Sequence, residues 1–88
     1  MKTDFTESFA KDLRRLKDQR ILKQVEQAIQ AIETADTLIE INHLKKLQGA
    51  ANCYRIRVGD YRIGFIFEED VIRLIRCLHR KEMYRYFP

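Results

Sequence analysis

Residues 53–67 read CYRIRVGDYRIGFIF, and this run limits the fold more than any other part of the chain. Apolar and polar side chains alternate on both sides of Gly59-Asp60. A period of two marks a β-strand with one buried face, and a two-residue loop carrying glycine joins two such strands as a tight hairpin. That loop sets the register. Val58 stands opposite Tyr61, Arg57 opposite Arg62, Ile56 opposite Ile63 and Arg55 opposite Gly64. One face carries Tyr54, Ile56, Val58, Ile63, Phe65 and Phe67. The other carries Arg55, Arg57 and Arg62. Like charges directly opposite one another destabilise a sheet by up to roughly 1 kcal/mol. Gly64 inside a strand costs stability as well, and leaves room beside Arg55. An anion between the arginines converts repulsion into shared attraction, because guanidinium forks match phosphate oxygens. Solvated arginines, or pairing with Asp60, Glu68 and Glu69, are the plainer alternative.

The segments before the hairpin change period. Thr6 is a candidate helix N-cap with Glu7 in the first turn, and Phe9, Leu13 and Leu16 follow at helical spacing. Asp18 is a second candidate cap, before a stripe of Ile21, Val25, Ala28, Ile29 and Ile32. That helix is expected to end near Thr34–Asp36. Lys2–Phe5 reads as a short first strand. Residues 38–49 show no period and read as irregular, with a turn at Gly49. Glu69-Asp70 marks a turn before a third strand, Val71–His79, and the tail from Arg80 to Pro88 is aromatic and basic. Helices grouped ahead of a strand meander predict an α+β fold, with two N-terminal helices packed on a small twisted antiparallel β-sheet. The helices cover the apolar face, and the arginine face stays open.

At 88 residues the chain is one domain, 1–88, and its 45% hydrophobic content suffices for a core without metal or disulfide staples. Cys53 and Cys77 fall in strands and read as buried thiols. Two histidines outside any Cys/His cluster predict no metal site and no cofactor. No apolar run reaches the length of a membrane span and no signal-peptide pattern opens the chain, so a soluble cytoplasmic protein without a membrane partner is expected. Charge is uneven. Residues 1–40 hold seven Lys/Arg against eight Asp/Glu, a net of −1, whereas residues 41–88 hold ten against five, a net of +5. The basic half is the half expected to meet a polyanion. Arg80, at the end of the third strand, and Tyr84, four residues on, extend the arginine face. Rings beside guanidinium groups are how proteins hold unstacked bases. Packing of the tail onto the domain is the alternative for Tyr86 and Phe87.

Three stretches carry a resemblance: FAKDLRRL in the first helix, HLKKLQGAANCYRIRVGDYRIGFIF through the hairpin, and LIRCLHRKEMY at the end. Within them Leu47-x-Gly49, Tyr54-Arg55-x-Arg57-x-Gly59-x-Tyr61-Arg62 and His79-Arg80-x-x-x-Tyr84 form a specific combination. It resembles the RelE/ParE superfamily of toxins, and within it the RelE-like mRNA interferases. The resemblance implies the same small sheet with two helices. It implies a toxin of a type II toxin–antitoxin system that enters the vacant ribosomal A site and cuts mRNA there without metal. The ribose 2′-hydroxyl attacks the adjacent phosphorus, leaving a 2′,3′-cyclic phosphate and a 5′-hydroxyl. The family's catalytic set falls on Arg55, Arg57, Arg62, Arg80 and Tyr84. Lys45, Lys46, Lys81 and Arg85 are the expected contacts to RNA and ribosome. The implied partners are a cognate antitoxin, the ribosome and mRNA.

One departure matters for the chemistry. The best-known RelE member has lysines where this chain has Arg55 and Arg57, and an arginine does not give up its proton to become a base. A ribosomal RNA group, a water or His79 is left for that task, although His79 has the opposite parity to Arg80. His43 reads as a surface residue beside Lys45-Lys46. The competing readings are a ParE-like inhibitor of DNA gyrase, a non-catalytic RNA-binding module on the same arginine face, and a toxin relic without activity.

Overall fold

The computed structural model describes residues 1–88. In chain order the elements are β1 (Lys2–Phe5), α1 (Glu7–Arg15), α2 (Gln19–Thr34), a 3-10 turn (Leu38–Glu40), β2 (Leu44–Lys46), β3 (Cys53–Val58), β4 (Tyr61–Glu68), β5 (Val71–His79) and α3 (Arg80–Tyr86). The strands form one five-stranded sheet in the order β1-β5-β4-β3-β2.

Local chemistry sets both N-terminal helices. Thr6 Oγ1 accepts the Phe9 N–H at 3.1 Å, and Asp18 Oδ1 accepts the Arg20 N–H at 2.9 Å, so each helix begins at the cap expected from sequence. Phe9, Leu16, Val25 and Ile32 are buried against Ile56, Val58, Ile63 and Phe65 of the hairpin and Ile72 and Leu74 of β5. The hairpin register is the expected one, with Arg57 opposite Arg62 and Arg55 opposite Gly64. Gly59 has φ +60° at the first loop position, the turn form whose twist suits a hairpin.

Three features depart from the sequence reading. β2–β5 are antiparallel, but β1 pairs with β5 in parallel, Lys2 beside Val71 and Phe5 beside Leu74, so the sheet is mixed. A four-residue strand carries no pattern that states its direction; the path through α1 and α2 sets it. The segment read as irregular contains β2, an edge strand of only three residues, Leu44 beside Ile56 and Lys45 beside Arg55. The tail is α3, and it packs on the sheet face expected to stay open. Met83 and Phe87 are buried there with Cys53 and Leu78, leaving only part of that face to solvent.

Gly64 follows from this packing. A β-carbon on it would stand 2.6 Å from Phe87 Cδ2 and 2.8 Å from Met83 Cε. The missing side chain therefore admits the tail, rather than opening space beside Arg55. β5 also breaks its alternation. Arg76 pairs with Gly64 and Leu74 with Phe65, so Ile75 is an extra residue in a bulge. Leu74 before the bulge and Cys77 after it both reach the helix-covered core.

Candidate nucleic-acid interface

The basic site forms where the hairpin, β2 and the start of α3 meet. Arg55 and Arg57 come from β3 and Arg62 from β4, all on the face away from α1 and α2. Arg80 arrives by a different route from the one its strand parity suggested. β5 ends at His79, Arg80 opens α3, and its N–H donates to the Asp60 carbonyl at 2.7 Å. That bond pins the residue beside the hairpin turn. His79 caps α3, its Nδ1 accepting the Lys81 N–H at 3.2 Å, while its ring lies edge-on to Tyr61 at 5.5 Å. It is a structural residue, facing away from the arginines.

Two adjoining hollows share Arg55 and Arg62. One is completed by Arg80, Lys81 and Tyr84; the other by His43, Leu44, Lys45 and Arg57. The Arg55 guanidinium lies over the Tyr84 ring at 5.1 Å from its centre, and the ring is 81% exposed, so its other side is free to stack. Arg62 Nη1 donates to the carbonyls of Gly59 and Tyr61, both at 2.9 Å, which holds the guanidinium at the mouth of the turn. Burial, followed by the charges of Arg55, Arg57 and Arg80, pushes the Arg62 pKa below its ordinary value. Arg57 Nη2 lies 3.2 Å from His43 Nδ1.

Carboxylates are scarce at the site. The ion pairs of the structure are Lys11–Glu7, Arg73–Asp4, Arg76–Asp12 and Arg80–Asp60, so Arg55, Arg57 and Arg62 take part in none. The Arg80–Asp60 contact is long, 3.9 Å, between exposed groups. Arg76 behaves differently from its neighbours. Asp12, buried to 5% exposure, accepts from Arg76 Nε at 2.8 Å and Nη2 at 3.0 Å, and from the Cys77 N–H at 2.9 Å. The bond to Asp12 raises the Arg76 pKa and ties that cation into the fold.

The expected RNA contacts divide between two surfaces. Lys45 sits beside Arg55 across the β2–β3 pair and lines one hollow, and Lys81 lines the other. Lys46 pairs with Tyr54 and so has the opposite parity, and Arg85 lies exposed in the last turn of α3. The sequence reading set His43 aside. It lies within the site because Asn42-His43 turns the chain into β2 with His43 at φ +62°, and its carbonyl accepts the Arg57 N–H at 3.2 Å. A histidine is among the residues that tolerate a left-handed backbone, but no spacing rule marks such a position in advance.

Comparison with known proteins agrees with this architecture. Residues 4–84 match the family described as the ParE toxin of type II toxin–antitoxin systems, parDE. This chain belongs to the RelE/ParE toxin family. Toxin RelE3 of Methanocaldococcus jannaschii is 40% identical over 89 residues, the whole of both chains. A RelB–RelE antitoxin–toxin complex from Methanococcus jannaschii superposes with a TM-score of 0.81 at 39% identity, over 96% of this chain and 98% of that one. The RelBE complex of E. coli superposes with a TM-score of 0.70 over 89% of this chain and 94% of that one; at 21% identity it supports the fold alone. The family fold is thus established for a type II toxin, and no helix in it is long and apolar enough to cross a membrane.

Proposed function

We propose that this toxin is a ribosome-dependent endoribonuclease that cuts mRNA in the A site by attack of a 2′-hydroxyl on the adjacent phosphorus, without metal. The observation that carries the reading is the convergence of Arg55, Arg57, Arg62 and Arg80 around two joined hollows, with only Arg80 near a carboxylate. Unpaired guanidinium groups held close together cost stability, and a phosphate repays it.

In-line attack concentrates negative charge on the non-bridging oxygens of the phosphorane. Fixed cations already in place stabilise that charge without reorganising. Arg55 and Arg62 take this role; Arg62 is held by two carbonyls before any substrate arrives. Arg80 sits beside the leaving 5′-oxygen and Arg57 holds a phosphate oxygen. Tyr84 stacks on a base, its inner side braced by Arg55. Lys45 and Lys81 extend the phosphate path, and Lys46 and Arg85 reach ribosomal RNA outside the hollows. An antitoxin is the expected protein partner, as the relatives crystallised with RelB have one. The working compartment is the cytoplasm, where ribosomes are.

Induced expression without an antitoxin tests the reading. Amino-acid incorporation is expected to stop before DNA synthesis does, and to stop equally with Arg80 intact whether or not gyrase is drug-resistant. Continued translation with gyrase trapped on cleaved DNA contradicts it, and favours the ParE-like inhibitor instead.

A further inference from the structure

The arginine set leaves one step without an agent: removal of the proton from the attacking 2′-hydroxyl. The structure offers a group for it. His43 Nδ1 lies 3.2 Å from Arg57 Nη2. A guanidinium only donates hydrogen bonds, so Nδ1 is the acceptor and carries a lone pair rather than a proton. His43 and Arg57 both line the hollow that Lys45, Arg55 and Arg62 complete. The backbone holds the ring there in the less common left-handed form, φ +62°, with the His43 carbonyl tied to the Arg57 N–H. Unfavourable backbone geometry beside reactive groups is a pattern of functional sites.

We infer that His43 is the general base of the cleavage, an inference that rests on the nuclease reading above. Arg57 is exposed at the end of β3 and moves from Nδ1 to a phosphate oxygen when RNA enters. The freed Nδ1 accepts the 2′-hydroxyl proton as the 2′-oxygen forms its bond to phosphorus. The bond from phosphorus to the 5′-oxygen breaks, and that oxygen takes a proton from water beside Arg80. The imidazolium returns its proton to solvent. The groups facing His43 are Lys45 from β2, Arg55 and Arg57 from β3 and Arg62 from β4 on one side, with Glu40 of the 3-10 turn and Asp60 of the hairpin loop along the groove on its other side.

His43→Asn and His43→Gln test the role. Asparagine tolerates the left-handed backbone, and both amides can accept the Arg57 bond while neither can take a proton. Single-turnover cleavage of mRNA on programmed ribosomes is measured against pH, with thermal melts to establish that each variant is folded. The expected loss is roughly 100- to 10,000-fold, the usual worth of a positioned base. The wild-type rate is expected to level off as pH rises. The variant rates are expected to keep climbing about tenfold per pH unit, because hydroxide then removes the proton. A folded variant that cleaves within about threefold of wild type, or that loses rate but keeps the wild-type plateau, overturns the assignment and leaves the nuclease reading standing. Wild-type protein that yields no 2′,3′-cyclic phosphate removes both.

Discussion

Gly64 shows how one absent side chain serves the site. The ring of Phe87, just past α3, fills the space where its β-carbon would be, and Met83 closes in from α3. Gly64→Ala is expected to lower stability by about 1–3 kcal/mol, the usual cost of overpacking, as read from the shift in a urea midpoint. Because Tyr84 rides on the same helix, RNA cleavage is expected to fall further than the loss of folded protein accounts for. An unchanged midpoint would mean that the ring is not seated as observed. Cys77 offers a separate test of the core. Burial, with the Asp12 carboxylate adding to it, pushes this thiol from 9.0 up to about 12. A raised acid pKa means that the folded state keeps the proton while the unfolded chain loses it. Stability is therefore full below pH 9 and declines as pH rises from 9 towards 12. Burial raises the Cys53 thiol as well. Alkylation near about pH 8 is expected to label neither thiol until denaturant is added, as counted by mass spectrometry. Rapid labelling of native protein would contradict the packing.

At the scale of elements, the hairpin was the most legible part of the chain, because a two-residue loop and a period of two leave a single register. The helix starts were equally plain, since Thr6 and Asp18 cap as their chemistry dictates. What the sequence hid has physical causes. β2 has three residues and owes its pairing to β3, so no local pattern announces it. The tail helix has seven residues, too short to show a period of its own, and it forms because Met83 and Phe87 find a surface prepared by Gly64. The bulge at Ile75 reset the alternation of β5, and β5 ends at His79 so that Arg80 opens α3, which is why strand parity did not explain Arg80. The edge of β5 beyond β1 is closed by Asp12 from α1, through the Cys77 N–H and the Arg76 fork. Asp12→Ala is expected to cost about 2–4 kcal/mol, since it strands a buried donor and unpairs a half-buried cation. Chemical denaturation measures it, and a loss under about 0.5 kcal/mol contradicts a role for this carboxylate in closing the edge.

Across the whole molecule the charges separate. Arg73 and Arg76 are neutralised by Asp4 and Asp12, whereas Arg55, Arg57 and Arg62 pair with no carboxylate and gather with Arg80, Lys45 and Lys81 where β2, the hairpin and α3 meet. Four of the five residues that the family resemblance singled out are arginines of this cluster, and the fifth, Tyr84, stacks on one of them. His43 was invisible to that reasoning because its place depends on a turn that only the folded chain makes. The central claim is that this cluster acts on a single ribose–phosphate linkage. Its most direct test is to incubate wild-type and Arg80→Ala protein with ribosomes carrying a defined mRNA and an empty A site, and to map the ends produced. Arg80 makes only a long, exposed ion pair, so the variant is expected to fold with stability within about 0.5 kcal/mol of wild type. Wild type is expected to cut inside the A-site codon, leaving a 2′,3′-cyclic phosphate and a 5′-hydroxyl, and folded Arg80→Ala to leave the message whole. Intact mRNA with wild-type protein, or undiminished cutting by the folded variant, contradicts the account.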